Sequence, residues 1–188
     1  GQDLMKAGRL DIAIHTIISS FFLSHQFRED VKLHLIFAGK PDPSKHLELK
    51  PVTEGKTGID KIYLSKKDIA WVIKRMLYKY KKNYKNEVFP GYWIEKKSLL
   101  QLIKELHGQG ENLYILDAKG QDIRKADIKE DPIFILGDHK GLSSKEIPQK
   151  ELKQIKKFCT PISIGKKSYF ASQTVTIVNH ELDIRETS

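Results

Sequence analysis

Residues 132–142 read Pro-Ile-Phe-Ile-Leu-Gly-Asp-His-Lys-Gly-Leu. Ile133 to Leu136 is a strictly apolar run behind a proline, the pattern of a strand buried in a parallel sheet. Gly137 ends the run, and Asp138, His139 and Gly141 follow at once. In open α/β sheets, ligands collect outside the carboxyl ends of the strands. A glycine there lets a ligand approach the backbone closely. The stretch therefore predicts an α/β fold with an open, mostly parallel sheet flanked by helices. It puts Gly137 and Asp138 at the rim of a pocket. An ordinary strand-to-loop turn, with Asp138 capping the next segment, fits the same residues.

The pattern recurs downstream. Thr160 to Ile164 reads as a second short strand, and Pro161-Ile-Ser-Ile-Gly165 ends in a glycine before Ser168 and a last helix. Two strand-end glycines would wall one ligand slot; tight packing turns are the plainer reading. Neither G-x-x-x-x-G-K-[ST] nor G-x-G-x-x-G occurs, so the slot suits an adenine without a pyrophosphate. The last helix carries Ala171, Val175, Val178 and Leu182 on one stripe. That stripe predicts a homodimer contact, or packing inside its own subunit.

Gly8-Arg9-Leu10-Asp11 opens another helix, from about Arg9 to Gln26, with Leu10, Ile14, Ile17 and Phe21 on its apolar face. Asp11 and His15 stand one turn apart on it. Arg9 has the planar fork that grips a phosphate. A first-turn carboxylate favoured by the helix dipole and a solvated arginine are the simpler account.

Between these points the chain alternates strands and helices. Val31 to Ala38 and His46 to Lys50 read as strands, separated by Gly39 and Pro41-Asp42-Pro43. Val52 to Gly58 reads as a loop. Ser65 caps a helix with Ile69, Val72, Ile73, Met76, Leu77 and Tyr80 inward and a row of Lys and Arg outward. Pro90-Gly91 breaks the chain. Ser98 to His107 predicts a short helix, Leu113 to Leu116 a strand, Asp117 to Gly120 a turn, and Glu146 to Phe158 a helix.

The 188 residues suit one domain. Hydrophobic residues at 39% and charged residues at 30% exclude a disordered chain. A single cysteine, Cys159, excludes a disulfide framework, and the seven histidines lack metal-ligand spacing, so no metal is expected. No apolar run approaches the ~20 residues of a membrane span, so a cytoplasmic protein is expected. Thirty-three Lys and Arg against 24 Asp and Glu give a net charge of +9, a field that gathers polyanions such as nucleic acid.

Taken together and in order, several segments resemble one family. They are Gly8-Arg-Leu-Asp11, Phe21-Phe-Leu-Ser-His25, Arg28-Glu-Asp-Val31, Phe134-Ile-Leu-Gly-Asp-His-Lys-Gly-Leu142, Ser163-Ile-Gly165 and Asn179-His-Glu-Leu-Asp183. The chain resembles the archaeal tRNA pseudouridine-54 N1-methyltransferases of the SPOUT superfamily, over nearly its whole length. Three departures stand out: residues 1–7 supply no counterpart to the family's strand ahead of Gly8-Arg9, the family's His-Asn-x-Leu-Asp ending reads Asn179-His180, and the stretch from Lys85 to Lys97 is less familiar. The resemblance implies one SPOUT methyltransferase domain over 1–188, with a C-terminal trefoil knot and the cofactor site in roughly 112–188. It implies S-adenosylmethionine bound by Leu116, Gly137, Ile162, Ser163, Ile164, Gly165, Ser168 and Phe170. A homodimer would complete the site, and tRNA would be the partner. Asp11, Arg9 and Asp138 would serve the transfer: Arg9 on phosphate, Asp11 ahead of Asp138 on the uracil edge. A ribosomal pseudouridine, a ribose 2′-oxygen, or RNA binding without catalysis are the alternatives.

Overall fold

The computed structural model describes residues 10–25, 27–39, 44–50, 66–137, 142 and 147–186. These fall into two compact units, Gly1–Ser98 and Leu99–Ser188.

In the first unit, α1 (Leu10–Phe21), β1 (Leu33–Phe37), β2 (Lys45–Leu49), α2 (Lys66–Tyr78), β3 (Asn86–Phe89) and β4 (Tyr92–Lys96) follow in order. The strands form a sheet in the order β1-β2-β4-β3, antiparallel throughout. Strand side chains alternate between faces. Leu47, Leu49, Tyr92 and Ile94 join a core with Ile14, Ile17 and Phe21 of α1 and Ile73 and Met76 of α2. The other face carries His34, His46, Glu48 and Glu95, which are register partners across β1, β2 and β4.

Three sequence expectations change here. The mostly parallel sheet is confined to the second unit. The first helix stops at Phe21 instead of continuing to Gln26: Phe27 folds back to stack on Phe21 at 5.6 Å, and the Arg28 N–H donates to the Phe21 carbonyl at 2.7 Å. Pro90-Gly91 is more than a break; it is the tip of the β3–β4 hairpin. Gly91 takes φ 81° there, a left-handed value that suits glycine, and its N–H donates to Glu87 Oε1 at 2.9 Å.

The second unit runs α3 (Leu99–Gly108), β5 (Asn112–Asp122), a 3₁₀ turn (Ile123–Lys125), β6 (Pro132–Ile135), α4 (Gln149–Phe158), β7 (Thr160–Ser163) and α5 (Ala171–Glu186). Its sheet, ordered β6-β5-β7, is wholly parallel. The apolar run at 133–136 forms β6 as expected. At the edge of the sheet among the described residues, however, β6 fully buries only Ile135 of its four residues.

The expected turn at Asp117–Gly120 lies inside β5. Leu116 and Gln121 both register with Ile162 of β7, so the pairing breaks between them and resumes beyond. Asp117 Oδ1 accepts the Lys119 N–H at 3.0 Å within that break, and its Oδ2 meets Lys156 of α4 at 3.0 Å. Gly120 is required there. A Cβ on it would stand 2.6 Å from the backbone of Pro161 and Ile162.

The α5 stripe is largely satisfied within its own unit. Val178 is buried with Tyr114, Ile123, Ala126 and Ile162, and Leu182 packs against them. Arg185 ties the helix down by donating to the carbonyls of Ala126, at 3.1 Å, and Ile123. The apolarity of this stripe therefore does not itself call for a second copy.

Candidate functional site

Parallel pairing sets Leu116, at the break within β5, level with the carboxyl ends of β6 and β7 along one edge of the second unit. In register, Ile115 lies beside Ile135 of β6 and Pro161 of β7, and Leu116 beside Ile162. Leu136 and Gly137 leave β6 at that edge, and Ser163, Ile164 and Gly165 leave β7 there. The sequence-predicted Leu116, Gly137, Ile162, Ser163, Ile164 and Gly165 are thus assembled by the topology of a single sheet.

Their environments differ in useful ways. Ile162 and Ser163 are buried, Leu116 and Ile164 half-buried, and Gly165, Ser168 and Phe170 exposed. Ser163 shapes the turn: its Oγ accepts the Gly165 N–H at 3.1 Å. Gly165 takes φ 118°, and among the described residues nothing lies within 4 Å of where its Cβ would stand. The backbone here is open to a ligand, and a side chain would fill that space. Two exposed aromatics follow, Tyr169 and Phe170, the latter 64% exposed. The Phe170 N–H donates to Gln173 Oε1 at 3.1 Å and its carbonyl accepts the Thr174 N–H at 2.9 Å, fixing it at the start of α5.

Apolar strand ends, an open glycine backbone and adjacent aromatics suit a flat adenine ring and its ribose. Neither glycine-rich phosphate-binding motif accompanies them. S-adenosylmethionine has an adenine and a ribose and no pyrophosphate, so the residues fit it.

Of the transfer residues, Asp11 lies half-buried in the first turn of α1, and His15 is exposed one turn on. Arg9, Asp138 and His139 lie outside the described residues, as do the expected loop at 52–58 and the cap at Ser65. Cys159 is buried between α4 and β7, and burial pushes its thiol up to about 11, which removes it as a nucleophile near neutral pH.

Sequence reasoning missed a polar cluster in the first unit, because its members meet across strands rather than at a sequence spacing. His34 Nδ1 lies 2.8 Å from His46 Nε2, and His46 Nδ1 lies 3.1 Å from Glu95 Oε1. Lys97 holds Glu95 at 2.8 Å and Lys85 holds Glu48 at 2.7 Å. Burial and its partners' charges leave His34 at about 4, and burial lowers His46 as well. An ionised Glu95 accepts only, so His46 donates through Nδ1 and accepts from His34 through Nε2.

His34, His46 and Glu48 also place ligand-type atoms within 4.8 Å of one another. Two nitrogens on one tetrahedral zinc stand about 3.3 Å apart, given bonds of roughly 2.0–2.1 Å. At 2.8 Å the two rings share a proton instead, and the three lysine neighbours of the cluster, Lys32, Lys85 and Lys97, oppose a further cation.

Comparison with known proteins agrees with this geometry. The family model described as "Putative SAM-dependent RNA methyltransferase" matches residues 2–187. A tRNA (pseudouridine(54)-N(1))-methyltransferase of Methanocella arvoryzae is 35% identical, covering 95% of this chain and 87% of the relative. One from Methanococcoides burtonii is 32% identical, covering 94% and 84%. A Vibrio parahaemolyticus protein named "Putative pseudouridine methyltransferase" is 34% identical, covering 94% and 85%. With the family model spanning all but the outermost residues, and relatives at this identity over most of both chains, the chain belongs to this family of S-adenosylmethionine-dependent RNA methyltransferases.

Proposed function

We propose that this protein methylates N1 of pseudouridine at position 54 of tRNA, as a cytoplasmic homodimer. The observation that carries the reading is the shared edge of the parallel sheet, where Leu116, Gly137 and the Ser163–Gly165 turn converge. The names of the archaeal relatives supply the base and the position.

The whole chain would act as one methyltransferase domain, with its cofactor site and a trefoil knot in roughly 112–188. Two features support the knot. Leu116 and Gln121 flank one residue of β7, Ile162, and Gly120 packs directly on the Pro161–Ile162 backbone. Among the described residues no helix is long and apolar enough to cross a membrane.

When bound, S-adenosylmethionine supplies an electrophilic methyl group on a sulfonium. The backbone of Gly137 and of Ile164–Gly165 would hold it, with Leu116 and Ile162 beneath and Ser168 and Phe170 beside. Asp11 would hydrogen-bond the uracil edge, orient N1 and accept its proton, with Asp138 as the second carboxylate. Arg9 would anchor a backbone phosphate. Orientation is the larger part of the rate, since alignment of two reactants is worth up to roughly 7–11 kcal/mol.

The test uses tRNA transcripts carrying pseudouridine or uridine at position 54, radiolabelled cofactor, and mass spectrometry of the nucleosides. Methyl on N1 of pseudouridine, dependent on that base, is the expected result. Methyl on a ribose, or none on either transcript, overturns it. The Vibrio relative's name specifies pseudouridine without tRNA. Ribosomal RNA fragments therefore belong in the same assay, and preference for them would reassign the substrate.

A further inference from the structure

The outward side of α2 has a composition that its own fold does not need. From Ile69 to Asn86 there is no Asp or Glu, while Lys74, Arg75, Lys79, Lys81, Lys82 and Lys85 supply six cations, against a net charge of +9 for the whole chain. Basic residues at a helix C-terminus complement the dipole, which accounts for some of them. The aromatics among them need another reason. Trp71 is 57% exposed, Tyr78 79% and Tyr84 59%. The inward side of the same helix is already filled by Ile69, Val72, Ile73 and Met76.

Spacing arranges these groups into a strip. Trp71 and Tyr78 are seven residues apart and share one side of the helix, about 10 Å from one another along its axis. Lys74 and Arg75, three and four residues after Trp71, stand between them. Trp71 leans on Phe89 at 5.9 Å between ring centroids, which steadies it. Lys81 lies over the Tyr84 ring at 5.8 Å just beyond the helix.

We propose that this face is a binding site for unpaired nucleotides of the RNA substrate. Bases stack on Trp71 and Tyr78, and phosphates lie on Lys74, Arg75 and Lys79. The proposal rests on the RNA methyltransferase reading and goes beyond it by assigning RNA contact to residues outside the methyl-transfer site. Aromatic faces interleaved with cations are how proteins hold single-stranded nucleic acid without reading its sequence. A protein partner fits less well, because lysine is depleted at protein interfaces and supplies five of these six cations.

The experiment measures binding, not catalysis, so it separates this proposal from the assigned reaction. Anisotropy of labelled tRNA and of a single-stranded oligouridylate is followed against salt for the parent, the double variant Trp71→Ala/Tyr78→Ala, and the double variant Lys74→Gln/Arg75→Gln. Circular dichroism and the thermal melt of each variant check that the first unit, which carries α2, stays folded. The aromatic variant should bind either RNA more weakly, roughly 5- to 150-fold for each lost platform, with an unchanged salt slope. The cation variant should flatten the slope on oligouridylate by about 1.4, two phosphates at ~0.7 each. In a Trp93→Phe background, oligouridylate should quench Trp71 fluorescence.

Unchanged RNA affinity in the aromatic variant overturns the proposal, as does Trp71 emission indifferent to RNA. If the aromatic variant instead converts a dimer to monomers and keeps its RNA affinity, the face is an interface between copies and the proposal falls. A parent protein that binds neither RNA overturns this site and the methyltransferase reading together. RNA binding that depends on the strip, without methyl transfer, overturns only the assigned reaction.

Discussion

Two glycines in the second unit do opposite jobs, and one substitution separates them. Gly120 has backbone 2.6 Å from its missing Cβ, while Gly165 has open space there and φ 118°. Gly120→Ala must push two chain segments apart, a strain of about 1–3 kcal/mol by the usual cost of overpacking. It should lower the denaturant midpoint and disturb the β5–β7 pairing. Gly165→Ala meets no atom of the described residues and carries the backbone penalty of a left-handed-side φ, about 1–3 kcal/mol. It should leave the pairing intact while weakening S-adenosylmethionine binding by calorimetry. Equal cofactor affinity in parent and Gly165→Ala would remove Gly165 from the pocket. Asp11 gives a second residue-scale test. Asp11→Asn keeps the size and loses the base, so cofactor and RNA binding should persist while single-turnover transfer slows by ~10²–10⁴-fold. Transfer at the parent rate would reduce Asp11 to a first-turn carboxylate and move attention to Asp138.

At the scale of elements, the His34–His46–Glu95 chain links β1, β2 and β4 and makes the first sheet sensitive to pH. His34 sits at about 4 and His46 also lies below the ordinary 6.5. An unfolded chain takes up protons on both rings as pH falls through 6.5, whereas in the folded chain His34 resists until near 4 and His46 also resists below 6.5. The stability that neutral rings contribute is therefore complete above 6.5 and is lost as pH falls below it, for His34 down to about 4, by up to ~1.4 kcal/mol per pH unit for each proton. Glu48 and Glu95 are held below the usual carboxylate range by Lys85 and Lys97, so they add a further loss below 4.5. Melting temperature followed from pH 7 to 4 should fall, and His34→Gln should flatten the fall. A level curve in the parent would contradict the neutral-ring assignment. None of this was legible in the sequence. His34 and Glu48 are neighbours only through the β1–β2 register, and His46 and Glu95 only through β2–β4. The β3–β4 hairpin was hidden for a related reason: Pro90-Gly91 announces a turn, but the short, half-exposed strands beside it show no long alternation. By contrast, α2, β6 and β7 carry strong local patterns and lie where the pattern puts them.

For the whole molecule, the sequence foretold the α/β class of fold and the short strands β6 and β7, because apolar runs ending near a glycine mark strand ends. It did not foretell that parallel and antiparallel pairing divide between two units, since pairing direction is set by connections and not by any one strand's residues. That division localises the effect of the cofactor. If S-adenosylmethionine binds the carboxyl edge of the β6-β5-β7 sheet, it stabilises the folded second unit by mass action, by about 2.7 kcal/mol at a hundredfold excess over Kd. The bonds that gain must be those whose opening breaks the site. Hydrogen exchange should therefore slow most in residues 113–116, 133–137 and 160–165, and in the first turn of α5, where Phe170 is fixed by Gln173. The antiparallel ladder of 33–37 with 45–49 has no member at that edge and should exchange at its parent rate. Slowing confined to that ladder would place the cofactor in the first unit and undo the site. Slowing at the β7 turn that vanishes in Gly165→Ala, in protein that keeps its β5–β7 pairing, would tie the effect to the glycine backbone.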